Sequence, residues 1–203
     1  MNITFNDNFG RKYTFLHVPK NAGKTISAYI QKHGLNVTTL HPQSHATCKE
    51  MKRLNKNLGI TFAVFRNPYS RAVSTYKYLF ETDLKSILAE SEKYFRKPPN
   101  LDWWYEFREE FPEMTFETFA EKLPFMPLSI EQYHYRKVNK FLRFEHLDED
   151  FKFIQDALPT KEPLFKINQT SSKKWEDYYT ATSKQNVYKA YSQDFKFLGY
   201  QNI

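Results

Sequence analysis

Apolar positions along the chain fall into short continuous runs that alternate with stretches of helical period. "YTFLHV" (Tyr13 to Val18) is an apolar run stopped by Pro19, the pattern of a buried strand. In "GKTISAYIQKHG", Ile26, Tyr29 and Ile30 recur at i, i+3, i+4 spacing and Gly34 ends the pattern, predicting a helix. "ATCKEMKRLNKNLG" predicts a second helix ending at Gly59, and "ITFAVF" (Ile60 to Phe65) a second buried strand. The turn "RNPYS" then leads into the helical "RAVSTYKYLF". Strand, loop and helix recurring in that order predict an α/β fold, with a central, mainly parallel sheet flanked by helices in a P-loop-like, three-layer arrangement.

Between about Glu81 and Met126 the pattern changes to charged and aromatic residues with a break at "RKPPN" (Arg96 to Asn100), which predicts a helical insertion or cap. Further on, "VNKFLRFEHL" predicts a strand, and "DEDFKFIQDAL" a helix with Phe151, Ile154 and Leu158 on one face. "SKQNVYKAYSQDFKFLGY" closes with a helix and an aromatic segment that packs back on the core. No repeat or Gly/Ser-rich linker divides the chain, so residues 1–203 are expected to form a single domain.

Composition narrows the partners. A formal net charge of +7 and a sequence pI of about 9.2 favour an anionic ligand, with nucleotide, nucleic acid, acidic glycan and anionic lipid all compatible. The single cysteine, Cys48, excludes an internal disulfide framework and suits a reducing compartment. No long apolar run marks a leader or anchor, so a cytoplasmic location without a membrane span is expected. The N-x-[ST] triplets at Asn2, Asn36 and Asn168 are then chance occurrences.

Two loops carry candidate chemistry. "HVPKNAGKT" (His17 to Thr25) nearly matches the phosphate-loop pattern G-x-x-x-x-G-K-[ST], but Val18 stands where the first glycine belongs. A strand running through such a turn into a helix presents backbone N–H groups and the positive end of the helix dipole to an anion. Asn21, Ala22, Gly23, Lys24 and Thr25 are placed to form that cradle, with Lys20 and Lys24 adding charge. "FAVFRNPYSRAVSTY" repeats the arrangement: Arg66 ends an apolar strand and Ser74 lies eight positions on, in the next helix. An Arg fork and a hydroxyl converging there suit a terminal phosphate dianion.

This pair of loops resembles the two phosphosulfate-binding motifs of sulfotransferases that use 3′-phosphoadenosine 5′-phosphosulfate (PAPS), in particular the carbohydrate branch related to heparan sulfate 2-O-sulfotransferase. "RFEHLDEDF", "INQTSSKKWEDYY" and "YSQDFKFLGY" extend the resemblance from about Tyr13 to Tyr200, with Glu81 to Met126 the least similar part. The resemblance implies sulfuryl transfer from PAPS, a cosubstrate, to a hydroxyl of a carbohydrate or glycolipid acceptor, with no metal. It implies that Lys20 and the backbone from Asn21 to Thr25 hold the 5′-phosphosulfate, and that Arg66 and Ser74 hold the 3′-phosphate. Asn168, Ser171 and Ser172 would belong to a loop over the cofactor.

Such a reaction needs a group to stabilise the bridging oxygen, for which Lys20 is suited, and a base for the acceptor proton. Of six histidines, His17 ends a strand and supports the loop, His33 sits at a helix C-terminus, and His134 and His146 lie in the second half. His41 and His45 remain, in "LHPQSHATCKEM"; the family places a histidine just before this helix, which selects His45 with His41 in reserve. The competing role for Ser44 or His45 is a helix N-cap. Pro42 between His41 and His45, with no third ligand, argues against a metal site.

Glu145 either orients a base or holds Arg143 in a structural ion pair, and the structural role is the one favoured. Trp103, Trp104, Tyr105 and Arg108, and likewise Gln132 and Tyr133, either line an acceptor cleft or pack inside the cap. The rival enzyme class is a P-loop small-molecule kinase using ATP, against which stand Val18 and the absence of an apolar strand ending in Asp. A nucleic-acid-binding protein explains the charge but not the paired loops, and no nucleic-acid module is recognisable.

Overall fold

In the computed structural model of the protein, residues 2–40, 45–54, 57–83, 102–160, 162–164 and 173–201 are described. The elements in order are β1 (Ile3–Asn6), β2 (Lys12–Phe15), α1 (Gly23–His33), β3 (Leu35–Thr39), α2 (Cys48–Leu54), β4 (Ile60–Phe65) and α3 (Pro68–Tyr76). A π-helical turn (Lys77–Glu81) extends α3, and α4 (Asp102–Glu110) and α5 (Phe116–Lys122) follow. Then come β5 (Lys140–Arg143), α6 (Leu147–Asp150), α7 (Lys152–Ala157), α8 (Ala181–Ala190) and α9 (Ser192–Leu198).

The five strands form one sheet in the order β3-β1-β2-β4-β5. β2, β4 and β5 are parallel, and β1 runs antiparallel to both β2 and β3. Four of the five strands therefore point the same way, as the expected α/β class requires. β1 and β3 are additions that the apolar runs do not announce. β1 is held less by periodicity than by side-chain bonds. Asn2, fully buried, donates Nδ2 to the Ala46 carbonyl at 2.9 Å and accepts the His17 N–H at 2.8 Å. Thr4 donates to the Tyr13 carbonyl at 2.9 Å.

Alternation along β4 builds both faces of the sheet. Phe62 and Val64 join Ile3, Phe5, Phe15 and Leu142 in a core closed by Ile26, Tyr29 and Ile30 of α1 and by Phe151, Ile154 and Leu158 around α7. The Phe62 ring lies 5.4 Å from Phe15 and 6.3 Å from Phe5, ring pairs worth ~1 kcal/mol each beyond their burial. Ala63 and Phe65 face the other way, onto Cys48 and Met51 of α2 and Tyr135. The three layers of helix, sheet and helix are thus both sides of one alternating strand.

A third core belongs to helices alone. Tyr69, Val73 and Leu79 pack with Phe116, Phe119 and Leu123 around α5, and with Val187, Tyr191 and Phe195 of the C-terminal pair. Of the 81–126 stretch, the described residues 106–126 thus contribute to this core. Arg108 ties it down by donating to the Phe80 carbonyl at 2.8 Å. The tail packs back as expected, although the helix breaks at Tyr191 into α8 and α9.

Two boundaries differ from the sequence pattern. α2 ends at Leu54, well short of Gly59, and "RNPYS" is the capped start of α3 rather than a turn. Asn67 caps α3 by accepting the Tyr69 N–H at 2.9 Å, and Pro68 fills the first helical position, where no N–H is needed. Gly59 instead sets the entry to β4: its φ is +62°, and a Cβ there would stand 2.1 Å from the Lys12 carbonyl oxygen of β2. Gly59→Ala is expected to lose about 2 kcal/mol or more, seen as a lower denaturant midpoint, because both the left-handed backbone and the strand approach exclude a side chain. A midpoint equal to wild type would show that the β2–β4 entry tolerates a Cβ.

Candidate active site

β2 and β4 are adjacent and parallel, and each is followed by a loop and a helix, so the two sequence loops meet at one edge of the sheet. Open α/β sheets bind ligands at this edge, beyond the carboxyl ends of the strands. The first loop turns through two residues in the left-handed region, Lys20 (φ 65°) and Ala22 (φ 56°, ψ 18°), neither of them glycine. Left-handed residues in such a turn let successive N–H groups point into a concavity that suits anions. Ala22 precedes α1 and contributes no side-chain cap, and the first turn of α1 holds no acidic residue. The first-turn N–H groups of an α-helix have no acceptor within the helix, and the helix dipole favours an anion at that end.

Gly23, expected as part of the cradle, has an additional reason to be glycine. A Cβ there would lie 1.8 Å from the His17 ring, which packs against the first turn of α1. His17 thus supports the loop from below. Thr25 is buried and Lys24 half-buried. Both lysines of the loop reach one ring: the ammonium of Lys20 is 3.9 Å, and that of Lys24 5.9 Å, from the centroid of Tyr78. Tyr78 sits on the π-helical turn, and the sequence carries no signal for it, since "YKYLF" continues the α-helical pattern. Such cation–π contacts each contribute roughly 0.5–2 kcal/mol.

The loops are joined by a fully buried amide. The side chain of Asn21 donates Nδ2 to the Val64 carbonyl at 2.8 Å and to Gln132 Oε1 at 2.5 Å. The same Gln132 oxygen accepts the Arg66 N–H at 2.8 Å, and Gln132 Nε2 donates to the Arg66 carbonyl at 2.8 Å. Gln132 is therefore the clamp between the loops, resolving its two sequence alternatives in favour of packing. The Asn21 side chain is likewise structural, so what it offers a ligand comes from its backbone.

The guanidinium of Arg66 donates Nε to Ser70 Oγ at 2.9 Å and Nη1 to the Lys20 carbonyl at 3.2 Å, and lies 4.0 Å from the Phe144 ring centroid. Burial lowers its pKa to about 10, which leaves it charged at neutral pH. The hydroxyl it meets is Ser70, which the sequence spacing passed over. Ser74, half-buried, follows one helical turn later on the same face of α3. The second helix differs from the first in being closed at its N-terminus, by Asn67 and by Glu145, whose Oε1 accepts the Asn67 N–H at 2.8 Å. Glu145 also accepts the Tyr200 hydroxyl at 3.1 Å, while Arg143 pairs with Asp150 at 2.7 Å. Glu145 is structural as expected, but its partner is not Arg143.

His45 lies beside the first loop. Its ring is 4.6 Å from that of His17, and its Nδ1 is 3.2 Å from the His17 carbonyl oxygen. That carbonyl can only accept, so Nδ1 carries the proton and Nε2 carries the lone pair. Tyr135 fixes the His45 backbone by donating to its carbonyl at 2.6 Å. Burial, chiefly, lowers the His45 pKa to about 4, and it holds His17 well below its ordinary value too. His45 is thus neutral, with a fixed tautomer, as a general base must be.

His33 pairs with Glu162 at 3.3 Å at the C-terminal end of α1, and His146 lies 3.7 Å from Glu149 in the segment after β5. Among the described residues no group of three or more His, Cys, Asp and Glu is placed to hold a metal, and no helix is long and apolar enough to cross a membrane. His41, Ser44, Asn168, Ser171 and Ser172 lie outside the described residues, as do the side chains of Trp103, Trp104 and Tyr105. Comparison with protein families, with curated proteins and with solved structures finds no match to this chain.

The half-buried imidazoles of His17 and His45 impose a pH dependence on stability. Folded-state pKa values below the ordinary 6.5 mean that the unfolded chain takes up protons first as pH falls. Stability is then full above about pH 6.5 and declines from there down to about pH 4, by up to about 3 kcal/mol for His45 alone. His45→Gln is expected to flatten this decline in melts recorded from pH 7 to 4. An unchanged slope would mean that His45 is protonated at its ordinary pKa in the folded protein.

Proposed function

We propose that the protein is a PAPS-dependent sulfotransferase, which moves a sulfuryl group from PAPS to a hydroxyl of a carbohydrate or glycoconjugate and releases adenosine 3′,5′-bisphosphate. The observation that carries this reading is the clamping of two unlike cationic loops side by side, at the ends of adjacent parallel strands. A nucleoside triphosphate presents one chain of phosphates. PAPS presents two separate anionic ends across its ribose, and two loops of different construction answer that shape. The N-terminus of α1 and the lysines of the first loop suit the 5′-phosphosulfate. The Arg66 fork, with Ser70 and Ser74, suits the 3′-phosphate dianion. The P-loop-like character of the fold, the cytoplasmic location and the carbohydrate or glycolipid acceptor belong to the same proposal.

In the reaction the acceptor oxygen attacks sulfur and forms the new S–O bond as the S–O bond to the 5′-phosphate breaks. The acceptor proton passes to His45 Nε2, and the electron pair of the broken bond stays on the 5′-phosphate of adenosine 3′,5′-bisphosphate. Lys20 leaves Tyr78 to neutralise the charge growing on that bridging oxygen, so positioning and electrostatics supply most of the rate.

Melting the protein with adenosine 3′,5′-bisphosphate, Mg-ATP or an oligonucleotide tests the ligand class, since a ligand selective for the folded state raises stability with its concentration over Kd. The bisphosphate is expected to give a large upward shift, Mg-ATP little, and Arg66→Ala to lose most of the bisphosphate shift. A larger shift with Mg-ATP would favour the kinase class, and one with the oligonucleotide a nucleic-acid-binding protein. For the chemistry, His45→Ala is expected to lose about 100-fold or more in turnover while binding bisphosphate like wild type. The acid limb of kcat/KM in the wild type is expected near pH 4, following the lowered His45 pKa. An acid limb near pH 6.5, or equal loss of binding and turnover in His45→Ala, would remove His45 from the role of base.

A further inference from the structure

Arg71 heads the largest fully buried side chains of the molecule, and nothing in the chemistry above uses its charge. A guanidinium taken out of water costs several kcal/mol unless hydrogen bonds and a counter-charge compensate it. Here the compensation comes from three separate parts of the chain. Nε donates to the Pro19 carbonyl at 3.1 Å, and Nη2 donates to the carbonyls of Ile130 at 2.6 Å and Leu128 at 3.1 Å. Nη1 lies 3.7 Å from Oδ2 of Asp194, a wholly buried carboxylate whose other oxygen accepts the Tyr133 N–H at 2.7 Å.

Pro19 is the residue just before the left-handed Lys20, and Arg66 bonds the Lys20 carbonyl itself. Two arginines five residues apart, Arg66 in the loop before α3 and Arg71 on α3, thus hold two consecutive carbonyls of the first loop. In a trans peptide the carbonyl and the next residue's N–H point to opposite sides. Drawing the Pro19 carbonyl toward α3 turns the Lys20 N–H away from α3. Drawing in the Lys20 carbonyl does the same for the Asn21 N–H. The left-handed region is disfavoured for a residue with a Cβ, so the turn at Lys20 needs bonds that hold it there.

We propose that Arg71 is a positioning residue for phosphate binding: its grip on the Pro19 carbonyl locks the left-handed turn at Lys20 and so directs the N–H groups of the first loop at the 5′-phosphate of the nucleotide. Lysine cannot replace it, because one ammonium cannot span Pro19, the 128–130 segment and Asp194 as the planar fork does. The inference rests on the proposed nucleotide, but it assigns Arg71 to only one end of that nucleotide.

That asymmetry is the test. Titration calorimetry with adenosine 3′,5′-bisphosphate and with adenosine 3′-monophosphate, which lacks the 5′-phosphate, gives a ratio of affinities that isolates the first loop. In Arg71→Lys and Arg71→Met the ratio is expected to fall about tenfold, with affinity for the 3′-monophosphate kept within about threefold of wild type. Equal losses for both ligands would mean a merely structural role, and an unchanged ratio would mean no role; either overturns the inference while leaving the function standing. A wild-type protein that binds neither ligand overturns the function and the inference together. Should the Arg71 variants not fold, Asp194→Asn decides: it keeps an oxygen for the Tyr133 N–H but removes the charge beside Nη1. A fall of about threefold in the ratio is expected there, and a wild-type ratio overturns the inference.

Discussion

The site depends on one side-chain amide. Gln132 is fully buried, and its oxygen accepts from Asn21 of one loop and from the backbone of Arg66 in the other. Its nitrogen donates to the Arg66 carbonyl, so the amide closes a two-way bond with one loop while holding the other. A buried network of this kind has no tolerant intermediate. Lost members leave unsatisfied donors and acceptors costing about 1–3 kcal/mol each, and the remaining bonds lose their geometry. Without this amide, β2 and β4 would still pair, but the spacing of the loops beyond them would be left to the Arg66 bond to the Lys20 carbonyl and the Asn21 bond to Val64.

That fixed spacing brings like charges together, and the structure answers the problem with rings. Lys20 and Lys24 reach Tyr78, and Arg66 lies over Phe144. Each ring face supplies negative potential to the cation over it without itself carrying a net charge. A carboxylate in the same place would stabilise the free protein more and oppose an incoming phosphate. Glu145, whose charge acts on Arg66, has one oxygen on the Asn67 N–H and the other on the Tyr200 hydroxyl.

What could be seen in the sequence follows from how local its causes are. α1 and β4 were legible because their signals lie within themselves: the spacing of Ile26, Tyr29 and Ile30, the stop at Gly34, and the unbroken run "ITFAVF". β1 and β3 were not. β1 is four residues long and secured by Asn2 and Thr4 to distant carbonyls, while β3 is an edge strand whose residues are largely exposed. Within the site, Lys20, Arg66 and His45 could be singled out from motif and chemistry, and the structure brings them to one edge. Gln132, Ser70 and Tyr78 could not be so assigned. Gln132 lies 111 positions from Asn21, Ser70 competes with an equally spaced Ser74, and Tyr78 depends on a π-helical turn that shifts the helix register.

The missing glycine at position 18 follows from the same geometry. Val18 is 1% exposed and packs with Leu16, Ala46, Met51 and Phe65, so that position belongs to the core beneath the loop. The turn starts one residue later, at Pro19, and takes its left-handed residues as Lys20 and Ala22. Glycine would adopt those angles freely but would also leave them freely, at an entropic cost on folding. Here the angles are imposed from outside, by Arg71 on the Pro19 carbonyl, by Arg66 on the Lys20 carbonyl and by Asn21 bonded to β4. A lysine can therefore stand where glycine is usual, placing a charge at the turn itself. The departure from the phosphate-loop pattern is what allows the loop to carry its own cation at that point.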